Sequence, residues 1–128
     1  KKELLIPTKI YVNEVSRILQ KKLIKGCANI TGGGIKDNLT RILPKNLSAE
    51  LNLGNIRITK IFKFMKALGI DEKEMLKTFN CGVGFCLIAN PKKIKQIINF
   101  FPNKYKPYVI GKIIKGNKSI KFNGKISW

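Results

Sequence analysis

Residues 28–38 read ANITGGGIKDN, so three consecutive glycines stand between a short apolar run and the start of a helix. The stretch therefore predicts a strand, a tight loop and a helix in direct succession. Glycine loses more conformational entropy on folding than any other residue, so three in a row need a reason. One reason is a turn that only glycine can make, and the other is a ligand that comes very close to the backbone. Asp37 weakly favours the plain turn, because its carboxylate would repel an approaching phosphate.

The chemistry of the loop suits an anion. A helix N-terminus presents unpaired N–H groups and a partial positive charge, and successive backbone N–H groups without side chains can form an anion-binding concavity. Gly32, Gly33 and Gly34 are therefore candidate phosphate ligands, and the Thr31 hydroxyl could add a donor. The loop is not a Walker A loop, because no Gly-Lys-Ser/Thr follows, and it does not read G-x-G-x-x-G.

Polar residues further along the chain complete the candidate set. Asn38 is interpreted either as a ligand donor or as a local cap. Arg41 could hold a phosphate or form a salt bridge with Asp37 one helical turn away. A second glycine pair predicts a structural turn or bulge near the site. The residues of that turn are Asn80, Gly82 and Gly84.

Outward from the loop, apolar periodicity and turn residues define the other elements. Helices are expected at residues 8–23, 35–43, 59–68, 71–76 and 91–101. Strands are expected at 27–31, 48–53, 83–89, 108–114 and 119–126, the last two flanking a hairpin turn at 115–118. This order predicts an α+β fold: a mixed, mainly antiparallel sheet of about four to five strands with helices packed on it.

Length and composition indicate one domain with a real core, since the chain has 128 residues of which 44% are apolar. No signal peptide is visible, and no apolar run approaches the roughly 18 residues of a membrane span. We therefore expect a soluble cytoplasmic domain without a membrane partner.

The formal charge of +19 raises the question of a nucleic-acid partner. However, 23 of the 26 basic residues are lysine and only three are arginine. Lysine, isoleucine and asparagine are all abundant, and all three have A/T-rich codons, so base composition explains the charge more simply. A nucleic-acid reader usually favours arginine. The composition therefore argues against nucleic acid, although a basic nucleic-acid-binding module stays an alternative.

The sequence contains few residues that could bind a metal or act as general acids and bases. The three cysteines form no C-x-x-C pair and histidine is absent, so a zinc site has too few ligands. Reduced, half-buried thiols are the simpler interpretation. The few acidic residues form no convincing carboxylate pair beside the glycine loop. We expect no metal site in this chain and no complete acid–base machinery.

Several motifs in order resemble one family, the phosphoribosylformylglycinamidine cyclo-ligases, or AIR synthetases. Residues 4–12, LLIPTKIYV, are similar to that family's L-L-x-P-T-R-I-Y-V segment. Residues 28–41, ANITGGGIKDNLTR, resemble its A-H-I-T-G-G-G-x-x-E-N-x-P-R stretch, and 69–84 its G-x-x-x-x-E-M-x-x-T-F-N-x-G-I-G-M stretch. Gly111-x-Ile113 is similar to its late G-x-I/V strand. The other readings are related ATP-using enzymes such as selenophosphate synthetase and thiamine-monophosphate kinase, which these segments fit less well.

The resemblance implies that residues 1–128 are a single C-terminal domain, complete or truncated at its N-terminus. The N-terminal domain, which supplies much of the ATP and metal site and the homodimer interface, would be absent. The whole enzyme would use ATP and Mg²⁺ to close the imidazole ring of formylglycinamidine ribonucleotide, giving aminoimidazole ribonucleotide in de novo purine biosynthesis. The isolated chain would have no turnover. Which phosphate the loop holds, that of the ribonucleotide or that of ATP, the resemblance does not say.

One departure from the family pattern bears on the chemistry. Asn29 stands where the family usually has histidine. If that histidine transfers protons, this chain lacks the function, because asparagine does not titrate. If it only donates a hydrogen bond, asparagine can replace it. The catalytic residues are therefore left unassigned.

Overall fold

Five α-helices and five strands lie along residues 5 and 7–128, the part of the chain described by this computed structural model, in the order αβαβααβαββ. Leu4 and Ile6 of the first family motif, together with Glu3, lie outside the described residues. The helices are α1 (Val12–Gln20), α2 (Gly34–Ile42), α3 (Lys60–Ala67), α4 (Glu72–Thr78) and α5 (Ile94–Ile98). The strands are β1 (Ile24–Asn29), β2 (Leu47–Asn52), β3 (Phe85–Ala89), β4 (Gly111–Lys115) and β5 (Ile120–Asn123). The predicted element order is confirmed, with ends that shift by a few residues.

The strands form two sheets rather than one continuous sheet. β1 pairs with β3 antiparallel, placing Ala28 opposite Cys86 and Asn29 opposite Phe85. In the second sheet β2 is central, antiparallel to β4 and parallel to β5. The expected α+β class with five mainly antiparallel strands is confirmed. No helix in the described ranges is long and apolar enough to cross a membrane.

The connection from β4 to β5 crosses the N-terminal end of β2, so these strands lie on either side of β2 and do not pair. The hairpin expected there is therefore wrong. The Gly116 N–H donates to the Asn46 carbonyl (3.1 Å) and the Lys118 N–H to the Leu47 carbonyl (2.9 Å), which holds the connection over β2. A Cβ on Gly116 would overlap the Ser48 hydroxyl, so glycine lets the chain pass this closely.

Ser48 is more buried than the alternating pattern of β2 predicts. It is 1% exposed because the β4–β5 connection covers it. The Ser119 N–H donates to Ser48 Oγ at 3.1 Å, and the two hydroxyl oxygens lie 3.0 Å apart. These bonds satisfy the buried hydroxyl, as burial of a polar group requires.

The main core lies between α2 and the strands, and a smaller one lies between α1 and α5. The main core holds α2 on β1, β2 and β3, and its residues include Ile30, Ile35, Leu39, Leu43, Ala49, Leu51, Val83 and Cys86. The smaller core consists of Ile18, Leu23 and Ile97. α2 is therefore fixed in place by its packing in the main core, and this fixes the position of the loop that precedes it.

α1 is shorter and less buried than its apolar spacing predicts. It begins at Val12, not at Thr8, with Tyr11 at its N-cap position. Ile10 is 76% exposed, Val12 63% and Leu19 51%, so only the side with Val15 and Ile18 is buried. Ile10 lies outside α1, because residues 7–10 do not continue the helix that was expected over residues 8–23.

α3 and α4 differ in how well their patterns predict packing. Ile61, Phe62 and Met65 of α3 are half-buried, whereas Leu68, the last residue of the range expected for this helix, lies beyond the helix end and is exposed. The N-cap of α4 is Asp71, the first residue of the range expected for this helix, and its Oδ2 accepts a hydrogen bond from the Lys73 N–H at 2.9 Å.

An ion pair ties residues 7–10 to α1. Lys9 Nζ lies 2.6 Å from Glu14 Oε1 and also stands over the Tyr105 ring, 5.1 Å from its centroid. The hydrogen bond from Lys9 holds the pKa of Glu14 below its ordinary value of 4.5. The other oxygen, Oε2, is buried with no partner within the described ranges. Lys9 is therefore the main stabiliser of this carboxylate.

Replacing Lys9 by methionine should destabilise the chain in a pH-dependent way. A lowered folded-state pKa stabilises the fold above the unfolded value and loses that effect as the pH falls through the folded value. We expect a loss of about 1 kcal/mol at pH 7, which shrinks as the pH falls below the ordinary pKa of 4.5 and through the lower folded-state value. Urea denaturation at pH 7 and pH 3 measures this, with the exposed Lys21→Met as control. An equal loss at both pH values would show that Lys9 acts by packing alone.

Candidate functional site

The glycine loop is a tight turn between β1 and α2. The Gly34 N–H donates to the Thr31 carbonyl at 3.1 Å, which closes the turn. Gly33, at the N-cap position of α2, has φ +90°, and Gly34 has φ +60°. Both lie in the left-handed region that L side chains rarely adopt. Backbone conformation alone therefore accounts for two of the three glycines.

Packing strengthens the requirement at these two positions. A Cβ on Gly34 would overlap the Leu76 carbonyl oxygen and come within 3.1 Å of the Phe79 carbonyl oxygen. The backbone at the C-terminal half of α4 therefore lies directly against Gly34. A Cβ on Gly33 would lie 2.9 Å from the Asp37 carboxylate. Gly34 is thus required by the close approach of α4 to α2.

Gly32 is different, because nothing in the structure requires glycine there. No atom lies within 4 Å of a Cβ built on it, and its φ is not positive. The residue is exposed. A ligand that closely approaches the backbone would account for the missing side chain, which is the chemistry expected of a phosphate site.

Asn38 orients the loop's peptide groups. Its Nδ2 donates to the carbonyls of Gly34 (2.7 Å) and Gly32 (3.2 Å) and lies 3.5 Å from that of Thr31. The side chain is buried, with the residue 6% exposed. Of the two roles open to Asn38, ligand donor or local cap, the structure favours the cap, because both amide hydrogens face loop carbonyls.

The directions in which the Gly32 and Gly33 N–H groups point follow from this arrangement. In a trans peptide the C=O and N–H point in opposite directions, and the described residues contain no cis peptide bond. The Thr31 and Gly32 carbonyls face Asn38, so the N–H groups of Gly32 and Gly33 point away from it. Neither amide has a protein acceptor among residues 5 and 7–128. The loop therefore presents two free donors on an exposed surface.

The charged residues beside the loop lie along α2. Asp37 and Arg41 are both exposed and do not form an ion pair, so the salt-bridge interpretation of Arg41 is wrong for the described structure. Arg41 lies about 10 Å further along the helix axis than Gly34. It lines a depression of about 470 Å³ whose other polar residues are Lys36, Asp37, Thr40, Lys118 and Ser119. Three cations against one carboxylate make this depression basic.

Lys118 belongs to this surface although the sequence offered no sign of it. It lies on the connection between β4 and β5, far from α2 along the chain. Lys36 was also missed, although it stands in the first turn of α2 within the family motif. Only the crossing of β2 by the β4–β5 connection brings Lys118 close to Arg41.

The second glycine segment, residues 80–84, is hydrogen-bonded to the backbone just before the glycine loop. Asn80 Oδ1 accepts a hydrogen bond from the Gly82 N–H at 3.0 Å, and Gly82 has φ +96°. A Cβ on Gly84 would overlap the Tyr11 hydroxyl. The Gly84 carbonyl accepts from the Ile30 N–H at 3.0 Å, next to the glycine loop. These contacts give both glycines a structural reason and require no ligand.

The remaining candidates for chemistry are inert or isolated. Asn29 is exposed at the end of β1, two residues before Thr31. Burial raises the pKa of Cys81 to about 11 and that of Cys86 to about 12, so neither thiol ionises near neutral pH. Across residues 5 and 7–128, no group of three Cys, Asp or Glu side chains could hold a metal ion.

Comparison with known proteins gives consistent matches. The family model described as "AIR synthase related protein, C-terminal domain" matches residues 1–122. A phosphoribosylformylglycinamidine cyclo-ligase from Carboxydothermus hydrogenoformans is 46% identical over 123 residues, covering 94% of this chain and 36% of that protein. One from Thermodesulfovibrio yellowstonii is 44% identical over 119 residues, 91% of this chain and 35% of that protein.

A longer relative also matches. The trifunctional purine biosynthetic protein adenosine-3 of Chironomus tentans is 45% identical over 113 residues, 88% of this chain and 8% of that protein. This chain therefore spans little more than a third of the length of the bacterial relatives that it matches, and much less of this one.

Proposed function

Because the chain belongs to the AIR synthase related family, as its C-terminal domain, we propose that residues 1–128 serve as that domain in a phosphoribosylformylglycinamidine cyclo-ligase. The family resemblance inferred from the motifs is confirmed. The complete enzyme would be a cytoplasmic homodimer. It would convert formylglycinamidine ribonucleotide to aminoimidazole ribonucleotide with ATP, in de novo purine biosynthesis. Its N-terminal domain would supply the rest of the ATP site, and the isolated chain would not turn over substrate.

The role proposed for this chain is to hold a phosphate on the glycine loop. The observation that supports it is the pair of outward-facing amides of Gly32 and Gly33, which lack an acceptor in the described part of the chain. Phosphoryl chemistry depends on such preorganised donors, which stabilise charge on the phosphate oxygens without reorganising. Thr31 is exposed beside these amides and can donate its hydroxyl, while Arg41 adds positive charge further along α2.

The fit to the implied cofactors differs between ATP and Mg²⁺. A phosphate group fits the loop, because Gly32 leaves open space where a Cβ would stand. Mg²⁺ does not fit this chain, since no suitable cluster of acidic side chains exists in residues 5 and 7–128. We therefore assign metal binding to the N-terminal domain and derive no step through it here.

Replacing Gly32 by valine should weaken phosphate binding without disturbing the fold. The added side chain would occupy the space through which a phosphate reaches the amides, and no protein atom lies within 4 Å of its Cβ. We expect at least a tenfold loss of affinity, while the unfolding free energy changes by less than about 0.5 kcal/mol. Gly33→Val is a poorer test, because φ +90° and Asp37 would strain it regardless of ligand.

Isothermal titration with ribose 5-phosphate and, separately, with ATP measures this and distinguishes the two phosphates. Ser16→Val, an exposed position on α1, is the matched control. Equal affinity of Gly32→Val and the unsubstituted chain for both ligands would refute the phosphate site. A single-stranded oligonucleotide that binds both proteins tightly, with affinity falling steeply in salt, would favour the nucleic-acid alternative.

A further inference from the structure

The last five residues of the chain pass the C-terminal end of β2 and reach α4. Gly124, which follows β5, has φ +73°, and a Cβ on it would lie 3.0 Å from Asn52 Oδ1. Ile126 is buried in the main core, and Trp128 packs against the same core. We call residues 124–128 the C-terminal segment. The matching family model ends at residue 122, so this segment lies beyond it.

A side-chain hydrogen bond joins the C-terminal segment to α4. Trp128 Nε1 donates to Glu72 Oε2 at 2.7 Å. Glu72 is the first residue of α4, and both residues are partly buried. The indole N–H is the only polar group of a tryptophan side chain, so this bond satisfies it completely. The chain has no other tryptophan.

Few buried side chains hold α4 to the rest of the domain. The helix has seven residues, of which Met75 alone is fully buried, and the preceding helix, α3, has no fully buried residue. Leu76 and Trp128 are the partly buried residues that connect this region to the main core. A helix this short is not stable by itself in water, so its position depends on such contacts.

The same helix fixes the position of Gly34 in the glycine loop. The Leu76 and Phe79 carbonyl oxygens leave no space for a Cβ on Gly34. Glu72 stands at the N-terminal end of α4 and Leu76 follows one turn later, so about 6 Å of helix connects the two contacts. A displacement of α4 at Glu72 would therefore move the backbone against which Gly34 packs.

We propose that Trp128 is a positioning residue for the glycine loop, acting through its hydrogen bond to Glu72 and through α4. This inference rests on the proposed phosphate site. The Gly34 N–H closes the turn whose outward-facing amides, those of Gly32 and Gly33, are the proposed phosphate donors. A loop that is held in place before the ligand arrives loses less conformational entropy on binding. The contact between Trp128 and Glu72 therefore raises the affinity for phosphate.

Nuclear magnetic resonance of the ¹⁵N-labelled chain without ligand tests the positioning role. Trp128→Phe keeps an aromatic ring against the core but removes the N–H donor. We expect it to shift the amide resonances of Gly32 and Gly33 and to speed hydrogen exchange of the Gly34 amide at least fivefold. Ile97→Val, a change in the smaller core between α1 and α5, is the control and should leave the loop unchanged.

Variants of Glu72 show whether the hydrogen bond carries the effect. Glu72→Gln keeps an acceptor oxygen for the indole N–H and should behave like the unsubstituted chain, whereas Glu72→Ala should reproduce the changes caused by Trp128→Phe. If both substitutions break the same bond, combining them adds little to either change. Increases in Gly34 exchange that multiply in the double variant would show that the two side chains act separately, and would overturn the inference.

Titration with ribose 5-phosphate and with ATP separates this inference from the proposed function. Trp128→Phe should weaken binding of the ligand that the loop holds at least threefold, whereas Ile97→Val should not. Because coupling between two sites is reciprocal, saturating ligand should also slow exchange of the Trp128 indole N–H.

Two results would overturn the positioning role. One is a Trp128→Phe chain whose loop resonances are unchanged, whether or not phosphate binds. The other is unaltered affinity of Trp128→Phe for a ligand that the unsubstituted chain binds at the loop. If neither ligand binds the unsubstituted chain, the proposed phosphate site fails, and the ligand-free resonances still decide whether Trp128 positions the loop.

Discussion

Alanine at Gly34 is expected to destabilise this domain strongly. The residue would have to keep φ +60°, which is strained for a non-glycine residue, and its Cβ would overlap the Leu76 carbonyl oxygen. Backbone strain costs about 1–3 kcal/mol, and overpacking against rigid neighbours adds about 1–3 kcal/mol. Domains of this size are stable by only about 5–15 kcal/mol. We therefore expect a loss of about 2–6 kcal/mol, or a chain that does not fold.

The matched control for this change lies two residues earlier. Gly32→Ala adds the same methyl group where no atom lies within 4 Å and φ is not positive. We expect its unfolding free energy to stay within about 0.5 kcal/mol of the unsubstituted chain. Urea denaturation followed by circular dichroism measures both variants. A Gly34→Ala chain as stable as Gly32→Ala would show that α4 does not pack against the loop as described.

Aspartate at Asn38 is expected to have the next largest effect, and a pH-dependent one. The substitution keeps the shape but replaces the amide, whose Nδ2 donates at 2.7 Å and 3.2 Å to two carbonyls, by an acceptor that faces carbonyl oxygens. A buried carboxylate without a partner is destabilising by about 3 kcal/mol or more. The carboxyl would therefore favour its protonated form in the folded chain, and its pKa would rise above the ordinary value of about 3.9.

The sign of the pH dependence follows from this rise. Above the unfolded-state pKa of about 3.9 the folded chain must hold a proton that the unfolded chain has released, and above its own raised pKa it must carry the unfavourable charge. The loss of stability is therefore largest near pH 7. Below about pH 3.9 both states are protonated and the loss shrinks. Urea denaturation at pH 7 and pH 3.5, with Asn38→Ala as the uncharged comparison, measures the difference. A loss that grows on acidification would contradict the assigned hydrogen bonds.

These two variants identify the residues that hold the glycine loop in place, as distinct from Gly32, where we propose that a phosphate binds. Gly34 and Asn38 hold the turn in place, through packing against α4 and through hydrogen bonds to the loop carbonyls. Gly32 does neither, so its substitution is the one that reports on a ligand. A phosphate site built this way has its donors oriented before the ligand arrives, which is what electrostatic stabilisation of a phosphoryl group requires.

The family and the element order could both be predicted from the residues alone. Short-range patterns determine them: apolar spacing, caps such as Asp71, and the glycine-rich turn are all read within a few residues. The proposal that the loop binds an anion also rests on local chemistry. The exposure of Ile10 and Leu19 could not be predicted, because the spacing of apolar residues does not show whether a partner covers them.

Long-range contacts decided the rest. The packing requirement for glycine at position 34, which Gly32 does not share, depends on α4. Its Leu76 lies 42 residues after Gly34 in the sequence. The placement of β5 beside β2, and hence of Lys118 beside Arg41, depends on a connection that crosses the end of β2. Local patterns show which conformation a segment prefers. They do not show which distant segment it meets, because that choice belongs to the packing of the whole chain.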